Sequence, residues 1–105
     1  AMKIMDKNIL IEKKHLHYVM TEFNILKQIS DSVFNLKLFC AFQSANYLYM
    51  VIDYCSEGDL TKIDRIENER LLFAELVLAF ENLYNKRINR IFIYRNWKFY
   101  FKHCN

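Results

Sequence analysis

The chain has 105 residues, 53% hydrophobic and 26% charged, with a formal net charge of +3 at pH 7. Leu, Ile, Val and Phe make up about a third of it. That is well above the roughly one fifth below which too little apolar surface can be buried to offset lost chain entropy, so a folded domain or part of one is expected and disorder is excluded. No run reaches the ~18 apolar residues that cross a bilayer, and the first residues lack the charged-then-apolar order of a secretory signal.

Residues 1–5 alternate weakly and read as a short strand, closed by the turn-prone group Asp6, Lys7 and Asn8. From Glu12 the period changes. Leu16, Val19, Met20, Phe23 and Leu26 form one apolar stripe, which predicts an amphipathic helix over 12–28. Ser30, Asp31 and Ser32 stop it, because their short side chains hydrogen-bond nearby backbone and compete with helical pairing. Alternation over 36–43 and 47–53 predicts two strands, and the short polar link from Gln43 to Asn46 makes them antiparallel neighbours in a hairpin. Asp53 to Asp59, with Ser56, Glu57 and Gly58, breaks the pattern and reads as a connector. A strongly apolar helix follows near 66–85, carried by Leu71, Leu72, Glu75, Leu76, Leu78, Ala79, Phe80 and Leu83.

The remainder is a different material. Residues 1–81 hold nine basic and twelve acidic side chains, whereas 82–105 hold six basic and no acidic ones, together with Tyr84, Phe92, Tyr94, Trp97, Phe99, Tyr100 and Phe101. A nucleic-acid platform of stacked rings and phosphate-binding cations is one reading of this tail, but no RNA-binding motif accompanies it, and nucleic acid is disfavoured as a partner. The chain has no proline and one glycine, Gly58, so a glycine-rich phosphate loop cannot be complete within it. Opening directly in strand-like sequence, it reads as a piece of something longer. Cys40, Cys55 and Cys104 are irregularly spaced with no C-x-x-C pair, which indicates neither a disulfide framework nor a zinc knuckle and suits a reducing, intracellular and cytoplasmic setting. His15 and His17, two apart on the predicted helix, diverge, and His103 beside Cys104 makes no ligand set, so no metal site is expected.

The order of elements, and the residues at their junctions, resemble the small lobe and the start of the large lobe of a protein kinase. Ala1-Met2-Lys3-Ile4 is similar to the Val-Ala-Ile-Lys strand signature, and Glu22 follows Lys3 by nineteen residues on the helix. Residues 48–60 resemble the strand and hinge of Ser/Thr kinases of the AGC group. Residues 74–84 resemble the long helix of the large lobe, and Ile93-Tyr94-Arg95-Asn96-Trp97-Lys98 resembles the entry to the catalytic loop. The fold class implied is α+β, a partial protein-kinase fold: a three-stranded antiparallel sheet with the small-lobe helix, then a hinge and a long helix. The divisions implied are 1–53 for a partial small lobe, 54–60 for the hinge, 61–98 for the start of the large lobe and 99–105 for a degenerate tail. In a whole kinase the first strand is flanked by two more, so an exposed sheet edge and marginal stability are expected of this segment alone.

The resemblance implies ATP-dependent phosphoryl transfer to Ser/Thr hydroxyls, with ATP and magnesium as the family's cofactors and proteins as substrates. Lys3 would contact the α- and β-phosphates, with Glu22 holding its ammonium. The Asp53 carbonyl and the Cys55 N–H and carbonyl would take the adenine edge. Ile52 either backs the adenine or simply packs in the core; Asp59 either meets the ribose hydroxyls or caps a helix before Leu60. The match fails in the catalytic loop. Asn96 stands where the family has its catalytic Asp, Lys98 matches the lysine, and Phe101 occupies a metal-ligand position; an amide cannot accept the substrate proton and a phenyl ring cannot bind Mg²⁺. The segment is therefore expected to be inactive on its own, the alternative being a pseudokinase-like module that binds a protein partner through its sheet edge and helix.

Overall fold

In the computed structural model, which describes residues 1–55 and 69–88, strand β1 (Met2–Asp6) runs directly into a helix, α1 (Lys7–Glu12). Asp6 makes the junction. Its carboxylate accepts from the N–H groups of Asn8 (2.8 Å) and Ile9 (3.4 Å), satisfying donors that the first helical turn leaves open. The group Asp6, Lys7 and Asn8 is thus a helix start rather than the turn its composition suggests. Asp favours both for the same reason, a short acceptor that reaches backbone N–H two or three residues on. Lys14 then takes a left-handed φ of 56°, which costs a side-chain-bearing residue about 1–2 kcal/mol and swings the chain into α2 (Leu16–Ile29). The helix expected over 12–28 is therefore two helices, broken at 13–15, and His15 lies before the second rather than within it.

Strands β2 (Leu38–Gln43) and β3 (Tyr47–Ile52) form the expected antiparallel hairpin, closed by Ser44, whose N–H donates to the Tyr47 carbonyl and whose hydroxyl accepts from the Tyr47 N–H. β3 is central: the order is β1-β3-β2, with Lys3 opposite Met50 and Met5 opposite Leu48. Because side chains alternate along a strand, Lys3, Met5, Leu48 and Met50 share the face that α2 covers. The other face keeps Met2, Ile4 and Phe42 about half exposed, with Phe42 and Tyr49 stacked at 4.7 Å between ring centroids.

α2 buries Val19 and Leu26 of the stripe its spacing suggested and adds Ile25 and Ile29, with Phe23 half-buried against the core, while Leu16 and Met20 are exposed. The helix is rotated toward the face that carries Glu22, because the sheet opposite offers that carboxylate a cation. Met20 and Phe23 border an apolar groove of about 240 Å³ with Met5, Ala41, Leu48 and Met50. The main core is Ile25, Leu26, Ile29, Leu36, Met50 and Leu83.

Leu83 belongs to α3 (Glu69–Asn85), which buries Leu72, Glu75, Ala79 and Leu83 at helical spacing and leaves Leu71, Leu78 and Phe80 exposed. It docks against the segment between α2 and β2. The Asn82 amide donates to the buried Asn35 Oδ1 (2.9 Å), the Asn35 amide donates to the Ala79 carbonyl (3.5 Å), and Lys86 pairs with Asp31 (3.0 Å). Ser30 ties α2 to β2 by donating to the Leu26 carbonyl and accepting from the Leu38 N–H. The described part of the helix expected over 66–85 begins at Glu69; residues 66–68 lie outside the described residues.

Two outcomes follow from this packing. Ile29→Ala should lower unfolding stability by about 2–5 kcal/mol while Met20→Ala changes it by less than about 0.5 kcal/mol, as read by urea denaturation; equal effects would contradict the rotated stripe. The hydrogen bond from Lys86 holds the Asp31 carboxyl below its ordinary value of 3.8. A depressed carboxylate stabilises the fold above its unfolded-state pKa and loses that contribution as pH falls through the lower, folded value. NMR titration should therefore place Asp31 below the usual range in the native chain and return it on Lys86→Met.

Candidate functional site

Lys3 reaches across from β1 to α2, where its Nζ donates to both carboxylate oxygens of Glu22, at 2.9 and 3.0 Å. Local structure makes this meeting. Strand alternation points Lys3 to the helix-covered face, and Glu22 lies on the α2 stripe with Val19, Ile25, Leu26 and Ile29. The side chains are 31% and 12% exposed, an intermediate setting in which two charge-assisted hydrogen bonds outweigh the partial loss of hydration. The ammonium is thereby held between β1 and α2, partly open to solvent.

At the far end of the sheet, Ile52 exchanges both backbone bonds with Ala1, whose terminal ammonium donates to the Ile52 carbonyl and whose carbonyl accepts the Ile52 N–H, each at 2.8 Å. Its side chain and that of Cys55 pack against the main core, Cys55 as a half-buried free thiol. Asp53 lies between them and is held to Lys37: its N–H donates to the Lys37 carbonyl (3.1 Å), and its Oδ2 accepts the Lys37 N–H (2.9 Å). Lys37 is a residue that the sequence did not mark. Its part is played by backbone atoms, which carry no compositional signal, and it is brought there by a register shift between Leu38 and Cys40 in β2.

Lys3 and Ile52 are therefore carried by the sheet and Glu22 by the helix packed on it, while Asp53 and Cys55 follow directly after the end of β3. Asp59, Asn96 and Lys98 lie outside the described residues, as does the tail over 99–105. Among the described residues no group of three His, Cys, Asp or Glu side chains could hold a metal ion, and no helix is long and apolar enough to cross a membrane.

The sequence is 37% identical over 94 residues to a 3-phosphoinositide-dependent protein kinase B of Dictyostelium discoideum, an alignment covering 84% of this chain and 10% of that protein. It is 36% identical over 106 residues to the Ser/Thr protein kinase SCH9 of Candida albicans, covering 93% of this chain and 13% of that one. It matches the Ser/Thr protein kinase sck2 of Schizosaccharomyces pombe at 36% over 106 residues, covering 93% and 16%. By descent the chain belongs to the AGC-type Ser/Thr protein kinases. No protein-family model matches it. The chain spans less than a fifth of the length of these three relatives, and its α+β architecture, a three-stranded antiparallel sheet with helices, is compatible with a partial kinase small-lobe-like fold.

The Lys3–Glu22 coupling is measurable without any ligand. In a double-mutant cycle of Lys3→Met and Glu22→Gln, the interaction should contribute about 1 kcal/mol, discounted because nearly a third of the Lys3 side chain meets solvent; coupling indistinguishable from zero would show that the pair does not hold α2 to the sheet.

Proposed function

We propose that this chain is the nucleotide-holding stretch of a Ser/Thr protein kinase catalytic domain, serving ATP-dependent phosphoryl transfer to protein hydroxyls in the whole protein, and that these 105 residues do not transfer phosphate by themselves. The observation that carries the reading is the bidentate Lys3–Glu22 pair. Phosphoryl transfer is catalysed chiefly by positioning and by offsetting charge on the phosphate oxygens, so a cation whose place is set by a neighbouring carboxylate is the part most needed. In this reading Lys3 binds the α- and β-phosphate oxygens and Glu22 positions it. The Asp53 carbonyl and the Cys55 N–H and carbonyl take the adenine edge, Ile52 lies behind the base, and Asp59 meets the ribose.

The transfer step itself lacks a base. Asn96, aligned with the family's catalytic Asp, has no oxygen basic enough to take the hydroxyl proton, and Lys98 alone can only offset phosphate charge. The residues do not fit magnesium either: Phe101 stands at a metal-ligand position, and no described cluster offers the carboxylate oxygens that a hard cation needs. A second reading, a pseudokinase-like module that binds a protein without chemistry, is favoured by Asn96 together with the half-exposed apolar face of Met2, Ile4 and Phe42.

Titration of the chain with ATP tests both. Lys3→Met should weaken ATP binding about tenfold, and neither protein should support transfer of the γ-phosphate to a protein acceptor. Equal ATP affinity in the two would remove Lys3 from the phosphate site, and measurable phosphorylation by the chain would overturn the inactive assignment. Thermal stabilisation by a protein partner but not by ATP would select the second reading.

A further inference from the structure

An antiparallel sheet with one face in water ordinarily sends apolar residues inward and polar ones outward. The face of this sheet that looks away from α2 breaks that pattern. Strand alternation and register set two rows across it, Met2 with Val51 and Cys40, and Ile4 with Tyr49 and Phe42. Neither row carries a charge. Lys3 and Asp6 are the two charged residues of the three strands. Lys3 is turned to α2, where it meets Glu22, and the Asp6 carboxylate, at the end of the outward face, is engaged by the Asn8 and Ile9 N–H groups. Met2, Ile4, Phe42 and Tyr47 remain 52, 58, 48 and 40% exposed. At roughly 200 Å² for a large apolar side chain, these four present about 400 Å² to water. That equals the largest apolar patch of an ordinary soluble monomer, and patches of this kind mark contact surfaces.

We propose that two copies of this chain pack these outward faces together about a twofold axis, with Ile4, Tyr49 and Phe42 at the centre. A face without charge offers nothing to select an acidic or a basic partner, whereas two sheet faces of equal width and composition complement each other, and apolar sheet faces stack about 10 Å apart. A contact between identical faces closes at two copies and leaves no copy of the face for further growth. The rings are ready for it. Phe42 and Tyr49 already stack at 4.7 Å with their planes 17° apart, so little side-chain freedom is lost when they are covered. A pair would bury about 800 Å², roughly half of a standard stable interface, so the dimer is weak and concentration-dependent. The net charge of +3 on each copy opposes the contact at low ionic strength and is screened by salt. This dimer is independent of the nucleotide reading, because Lys3 and Glu22 lie on the other side of the sheet, and it gives the protein-binding alternative a definite partner.

Sedimentation equilibrium of the 105-residue chain across roughly micromolar to millimolar concentrations is the test. Wild type should pass from monomer to dimer and no further, more readily at high salt than at low. Ile4→Lys, which places an unpaired cation in the contact, should raise the dissociation constant at least about tenfold; Phe42→Lys serves if the circular dichroism of the first variant departs from wild type. Met20→Lys alters a comparably exposed apolar residue on α2, away from the proposed contact, and should dimerise within about twofold of wild type. The inference is overturned by a wild type that grows beyond two copies, by association that weakens as salt rises, or by Ile4→Lys and Met20→Lys behaving alike. A wild type that stays monomeric throughout also overturns it and leaves the face to another occupant: the chain's own tail if NMR contacts join Ile4 or Phe42 to residues beyond 88, a different protein if they do not. Each of these failures leaves the nucleotide reading standing.

Discussion

One ion pair sets the geometry of this small kinase segment. Lys3 and Glu22 are nineteen residues apart in the chain, and between them lie a capped helix, a left-handed residue and half of a second helix. Bringing the two side chains within 3.0 Å fixes both the distance of α2 from the sheet and its rotation about its own axis. The rotation has consequences for packing. It keeps Val19 and Leu26 inward, brings Ile25 and Ile29 in beside them and leaves Leu16 and Met20 outside, although these last two are as apolar as the residues that replace them. A partly buried charge pair contributes little net stability compared with the core it sits beside, but it discriminates between packings that hydrophobic burial scores alike.

The second constraint is the polar knot under α3. Asn35 is almost completely buried, and its amide group both accepts from Asn82 and donates to the Ala79 carbonyl. An unsatisfied buried amide costs far more than the net worth of the bonds it makes, so these contacts hold α3 in one position along its axis while Leu83 fills the main core. The segment between α2 and β2 therefore connects the ion pair at one end of the molecule with the long helix at the other, through Ser30, Asp31 and Asn35.

The connector end of the sheet is built from backbone. Ile52 is tied to Ala1 and Asp53 to Lys37, so that β3 leaves the sheet with both flanks held. Asp53 differs from its neighbours in that its side chain enters the ladder itself.

Much of this was legible in the residues. Strand alternation over 36–43 and 47–53, the polar link at 43–46 and the apolar run of α3 are local properties, each decided by periodicity and turn chemistry within a few positions. The pairing of Lys3 with Glu22 was legible only through their spacing in a kinase-like order, since neither residue alone differs from a surface charge. What tertiary structure decided was what depends on partners far along the chain. Asp6 reads equally as turn or helix cap until the next backbone turn forms. The face of α2 that is buried depends on a cation presented by β1. The role of Lys37 depends on a one-residue register shift that no composition records. In each case the local free energies of the alternatives are nearly equal, and a contact across the fold breaks the tie.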